Sequence, residues 1–193
     1  MYKRQVVVRA RIEESIIVRE ATHRDVEGIA RARIEGWQAA YRGIVPDSFL
    51  DDMSIEADLE RMNAWAWDSK SSPHWVCEVD GRVVGWASLL IPARDASLGK
   101  DVAEIAACYV RPALWGRGLG RLLMTTALEA ARGLEKTALV LWVLAENARA
   151  QRFYRRLGFT LDGARKAESH IPGVMLEVVR MRRSLDSREV NGE

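Results

Sequence analysis

The chain has 193 residues, 48% of them hydrophobic and 29% charged, with a formal net charge of +2. That length suits one domain with a sizeable core, and the balanced charge offers no field for general nucleic-acid or membrane-surface binding. No run of 18 apolar residues occurs, so no transmembrane helix is expected.

The N-terminal "MYKRQVVVRARIEES" holds only three consecutive apolar residues, too few for a signal-peptide core. Residues 1–14 read as a tail or an extra edge strand. "SIIVREAT" (15–22) reads as a strand. "HRDVEGIARARIEGWQAAY" carries helical spacing through Val26, Ile29, Ala30, Arg33, Ile34 and Trp37. "RGIVPDSFLDDMS" is a turn-rich connection, in which Asp47 or Ser48 can cap the helical stretch "IEADLERMNAWAWDS" that follows. "HWVCEVDGRVVGWASLLI" is a hairpin, because Asp80-Gly81 between two apolar runs suits a two-residue turn.

"VAEIAACYV" (102–110) is a third strand, and "WGRGLGR" (115–121) joins it to an amphipathic helix. That helix shows Leu119, Leu122, Leu123, Thr126, Ala127 and Ala130 on one face, with Gly133 fitting its end. "TALVLWVLA" (137–145) is a continuous apolar run, the pattern of a strand buried on both faces. Asn147 can cap "ARAQRFYRRL", and Gly158 can end it. "FTLDG" and "VMLEVVRMRRS" supply the last strands before a solvated tail, 184–193. The order over 15–183 is β-α-α-β-β-β-α-β-α-β-β, a single domain of the α/β (α+β) class.

Cys77 and Cys108 lie apart in apolar runs with no CxxC, and His23, His74 and His170 are scattered. No structural zinc or other metal site is expected. Two buried free thiols fit a reducing, cytoplasmic setting.

Gly116, Gly118 and Gly120 fall at every second position where a strand meets a helix. A helix N-terminus has N–H groups without intrahelical partners, and its dipole favours an anion. Arg117 and Arg121 add positive charge. A Rossmann G-x-G-x-x-G needs glycine where Arg121 or Leu123 stands, and a P-loop fails at Arg121 as well. Spacing alone leaves a phosphate cradle or a tight turn with solvated arginines.

"YVRPALWGRGLGRLLMTTAL" resembles the signature of the GNAT superfamily of N-acetyltransferases: a strand ending near V-x-P, then Q/R-x-x-G-x-G/A, then a helix. "LWVLAENARAQRFYRRLGF" (141–159) resembles a second family block, and the likeness covers roughly 16–183. Trp115 departs from it, standing where the family prefers Gln or Arg. The resemblance implies a GNAT-type mixed, mostly antiparallel sheet of six to seven strands. About four helices flank it, and the central pair, 102–110 and 137–145, is splayed. It implies acetyl-CoA as co-substrate. The backbone of Gly116, Arg117, Gly118, Leu119, Gly120 and Arg121 would hold the pyrophosphate beside Trp115. The strand carrying Cys108, Tyr109 and Val110 would pair with the pantetheine arm, and one of those three N–H groups would stabilise the oxyanion. Asn147 and Tyr154 would also contact the cofactor.

The implied activity is direct transfer of an acetyl group to a primary amine in a ternary complex. The alternative is an acyl-CoA-binding sensor of the same fold without turnover. An alkyl amine with a pKa of about 10.4 must lose a proton before it attacks, so a base is needed. Glu104 is the candidate, directly or through water; otherwise it is a surface carboxylate or an arginine's partner. Tyr154 is the candidate acid for the leaving thiolate or else a packing residue, with Phe153 turned to the core. Cys108 lacks a visible base partner and is not favoured as an acyl carrier.

Residues 47–60 carry six acids and no base, near Trp37, Tyr41, Trp65 and Trp67. This suits a cationic amine or simply a solvated helix face over a tryptophan core. A peptide N-terminus, a lysine, a polyamine and an antibiotic amine all stay open as acceptors. The family habit of dimerising through the last strands makes "VMLEVVRMRR" a candidate homodimer surface.

Overall fold

A computed structural model describes residues 6–10, 14–63, 71–171 and 173–185. Trp65, Trp67 and the tail from 186 onward lie outside the described residues. The chain forms two compact units, Met1–Leu89 with Ala107–Ala127 and Leu90–Ala106 with Leu128–Glu193.

In the first unit, β1 (Val6–Ala10), β2 (Glu14–Glu20), β3 (His74–Val79) and β4 (Arg82–Leu90) pair antiparallel in that sequence. The β3–β4 hairpin turns on Asp80 and Gly81 at φ 50 and 74, the positive values a two-residue primed turn requires. Between β2 and β3 come α1 (Val26–Ala40), α2 (Asp47–Asp51) and α3 (Ile55–Asn63). Entry to α1 is fixed by a capping box. Thr22 accepts from Arg24 N–H, and Asp25 accepts from Thr22 N–H at 2.7 Å. Arg19 grips the same Asp25 carboxylate at 2.7 and 2.8 Å. Burial alone would raise the Asp25 pKa, but the Arg19 and Thr22 hydrogen bonds outweigh it and hold it below the usual value.

The apolar face of α1 buries Val26, Ile29 and Ala30 with Met62, Val76 and Trp86. Gly28 lets this helix approach β4, since a Cβ there would stand 2.5 Å from Val83 Cβ. The stretch after α1 differs from its sequence reading. Pro46 opens α2 without a side-chain cap, and Ser54 accepts from Ala57 N–H at 3.2 Å to open α3. Neither Asp47 nor Ser48 caps a helix. The single expected helix is therefore two, which makes five α-helices among the described residues.

β5 (Val102–Val110) and α4 (Leu119–Gly133) each run through both units. The buried face of α4 is Leu119, Leu123, Met124, Ala127, Leu128 and Ala131, while Leu122, Thr126 and Ala130 are half-buried. The face is thus rotated by about one residue from the sequence reading. Gly133 is the last helical residue, and the left-handed position after it is Glu135, at φ 55.

In the second unit, β5 pairs parallel with β6 (Ala138–Leu144) from Val102–Ala138 to Ile105–Leu141, where the pairing ends. α5 (Ala148–Arg156), β7 (Thr160–Ile171) and β8 (Val174–Ser184) follow. β8 is antiparallel to β6 over Val178–Ser184 and to β7 on its other side. The architecture is the expected mixed, mostly antiparallel open sheet with flanking helices.

Candidate active site

β5 ends at Val110, a short turn over Pro112–Leu114 follows, and α4 begins at Leu119. Gly116 and Gly118 sit between them at φ 82 and 85. A Cβ at either would meet nothing within 4 Å, so the requirement is for backbone conformation rather than space. Leu122 N–H makes the first α4 bond, to Gly118 O at 3.0 Å. The N–H groups of Leu119, Gly120 and Arg121 precede it and have no intrahelical acceptor. Trp115 fixes this loop by donating from Nε1 to Val110 O at 2.7 Å. Arg117 is ion-paired with Glu14, so its charge is already met, whereas Arg121 is exposed.

On β5, Glu104 is fully buried, 0% exposed. Its Oε1 accepts from Arg94 Nε at 2.9 Å and from Nη2, and its Oε2 accepts from Arg94 N–H at 3.0 Å. Of the roles open to Glu104, this geometry matches the arginine partner. Sequence reading passed over Arg94 because nothing local marks a loop arginine as the partner of a strand carboxylate. Cys108 is half-buried, and desolvation pushes its thiol up to about 12, far from a thiolate at neutral pH. Tyr109 accepts from Trp37 Nε1 at 3.0 Å and stacks on Trp86 at 5.9 Å.

Asn147 caps α5 through its side-chain oxygen, which accepts from Ala150 N–H at 3.0 Å. Tyr154 is half-buried on α5, edge-on to Phe153 at 5.1 Å and to Phe159 at 6.0 Å. Phe153 is not a core residue as expected; Phe159, fully buried, takes that place.

Three of the six acids at 47–60 are paired with arginines. Arg42 pairs with Asp47 at 3.4 Å and Asp51 at 2.8 Å, while Asp58 is shared by Arg33 and Arg61 at 2.7 and 2.8 Å. Tyr41 and Phe49 both pack on Trp37, and Arg33 lies 4.8 Å over the Trp37 ring. Asp52, Glu56 and Glu60 are exposed beside these pairs. In the second unit lies a cavity of about 550 Å³ that sequence reading did not foresee, bordered by Arg94, Trp142 and Arg180 among others. Trp142 inside an apolar strand run gave no sign of it. Among the described residues no group of three or more His, Cys, Asp or Glu side chains could hold a metal ion. No described helix is long and apolar enough to cross a membrane.

Residues 35–159 match the acetyltransferase (GNAT) family. The chain belongs to this family. An uncharacterised N-acetyltransferase of Methanocaldococcus jannaschii is 36% identical over 95 residues, 49% of this chain and 42% of that protein. The chain thus spans less than half of that relative's length. The structure of the PaiA N-acetyltransferase of Thermoplasma acidophilum, in complex with coenzyme A, superposes with a TM-score of 0.69 at 19% identity. It covers 88% of this chain and 99% of that one, and shows the shared fold. YncA from Salmonella typhimurium, whose structure holds acetyl-CoA, superposes with a TM-score of 0.62 at 25% identity over 92% of this GNAT chain and 98% of its own.

Proposed function

We propose that this GNAT protein transfers the acetyl group of acetyl-CoA directly to a primary amine. The observation that carries the reading is the bare loop at 116–118 leading into the free N–H groups of α4, within a chain that matches the family on both sides of it. Gly116 to Arg121 would hold the pyrophosphate through backbone donors and the helix dipole. The 104–110 strand would pair with the pantetheine arm, and the Asn147 amide nitrogen would reach it while the oxygen keeps its capping bond. A backbone N–H among Cys108, Tyr109 and Val110 would meet the oxyanion.

In the reaction the amine nitrogen attacks the thioester carbonyl. A C–N bond forms, the C–S bond breaks, the amine proton leaves to a base and the thiolate gains one. Tyr154 supplies that proton in the proposal, because a phenol is a donor at neutral pH. Glu104 takes the amine proton through water only once its pair with Arg94 opens. The closed pair favours a second reading, an acyl-CoA-binding protein without turnover.

Calorimetric titration with acetyl-CoA followed by thiol release over an amine panel tests both. Binding with thiol release supports the enzyme, binding without release supports the sensor, and no binding removes both. Tyr154→Phe is expected to keep coenzyme A binding and to lower turnover about 100-fold; an unchanged rate removes its acid role. If Glu104 is the base, Glu104→Gln abolishes the acidic limb of the pH–rate profile.

A further inference from the structure

The cavity in the second unit is a solvent-open depression lined from the loop after β4 and from β6, β7 and β8. Its opening follows from a slip in the β7–β8 register between Leu161 and Arg165, with Gly163 at φ 89 inside the bulge. Trp142 of β6 lies against it, with Lys166 Nζ 4.2 Å and Arg180 Cζ 5.5 Å from the ring centroid. Four cations line it, Arg94, Arg165, Lys166 and Arg180, against one carboxylate, Asp95.

Each cation is braced by a carboxylate. Arg94 is held by Glu104, Arg165 by Glu177 at 2.9 Å, Lys166 by Glu168 at 2.5 Å, and Arg180 by Asp95 and Asp162 at 2.7 Å each. This bracing fixes the donors before a ligand arrives, which lowers the ordering cost of binding. It also leaves donors over: Arg94 Nη1 and Arg180 Nη2 have no hydrogen-bond partner among the described residues. Arg180 is only 13% exposed, so its remaining N–H groups face little water.

Resting on the proposed acetyl transfer, we infer that this cavity takes the acceptor, and that the acceptor is a small primary amine carrying a carboxylate, an amino-acid-like molecule. The carboxylate accepts from the guanidiniums and Lys166, and the carbon skeleton lies on Trp142. A volume of about 550 Å³ suits a small molecule. Arg94 touches both the cavity and Glu104 on β5, which ties the site to the strand proposed for the chemistry. Because the bracing carboxylates nearly cancel the local charge, recognition comes from directed N–H groups at short range.

The test compares free amino acids with their C-terminal amides and decarboxylated amines as acceptors with acetyl-CoA. Free acids are expected to show at least about tenfold higher kcat/KM, and Lys166→Gln is expected to erase about tenfold of that preference. Equal rates for acid, amide and amine overturn the inference, as does a preference that Lys166→Gln leaves intact. Free amino acids working no better than peptides with the same N-terminal residue overturn the small-molecule class. Calorimetry with N-acetyl amino acids against their amides reads the cavity without turnover. Selective binding of the acids supports the site even if no amine is acetylated, and no selectivity overturns it even if acetyl-CoA binds well.

Discussion

At the head of α4 the groups on offer are backbone: the N–H groups of Leu119, Gly120 and Arg121, with bare glycine φ angles leading up to them. On β5 the group on offer is a side chain, and it is taken. Both oxygens of Glu104 receive hydrogen bonds from Arg94, and the carboxylate has no exposure to water. The first place can receive an anion without breaking anything. The second must part from Arg94 before water can reach it. The two places are therefore different kinds of structure and can be altered separately.

The largest expected effect breaks the closed side. Arg94→Met leaves a buried carboxylate without its charge partner and is expected to cost about 3 kcal/mol in denaturant unfolding. A loss under about 1 kcal/mol means that water already reaches Glu104. Next, Gly118→Val puts a β-branched side chain at φ 85, a strain of about 2 kcal/mol. The acetyl-CoA Kd read by calorimetry should rise about 30-fold, and an unchanged Kd removes the loop from the binding site.

A smaller effect concerns His74, another buried titratable group that is already committed. Burial lowers its pKa from 6.5 to about 4, and it accepts from Trp86 Nε1 at 3.4 Å. Between those values the unfolded chain binds the proton and the folded one does not. Stability is therefore full above pH 6.5 and falls as pH drops toward 4. His74→Phe should flatten that slope, measured as unfolding midpoint against pH. The smallest effect sharpens the open side: Trp115→Phe loses one hydrogen bond, about 1 kcal/mol of stability.

The same contrast governs what could be read before folding. The bare loop was legible because glycines at 116, 118 and 120 have few reasons to coincide other than a need for bare backbone. The Asp80-Gly81 hairpin and the Asn147 cap were legible because each is a local contract between neighbours. Arg94 with Glu104, and the cations around Trp142, were not. Their partners come from loops and strands brought together only by the sheet, and a bulge at Gly163 has no counterpart in hydrophobic periodicity. The acids of 47–60 stayed ambiguous because charge in sequence does not say which arginine will answer it. Met124 and Leu128 were missed for a simpler reason, a face chosen one residue out of phase.

The bond from the Trp115 indole to the Val110 carbonyl has a metric meaning. It takes up one lone pair of the last β5 carbonyl and so pegs the loop at 115 to the end of that strand. Distance along the strand is then counted backward from a tryptophan. The residue that departs from the family pattern works as the zero mark of a ruler.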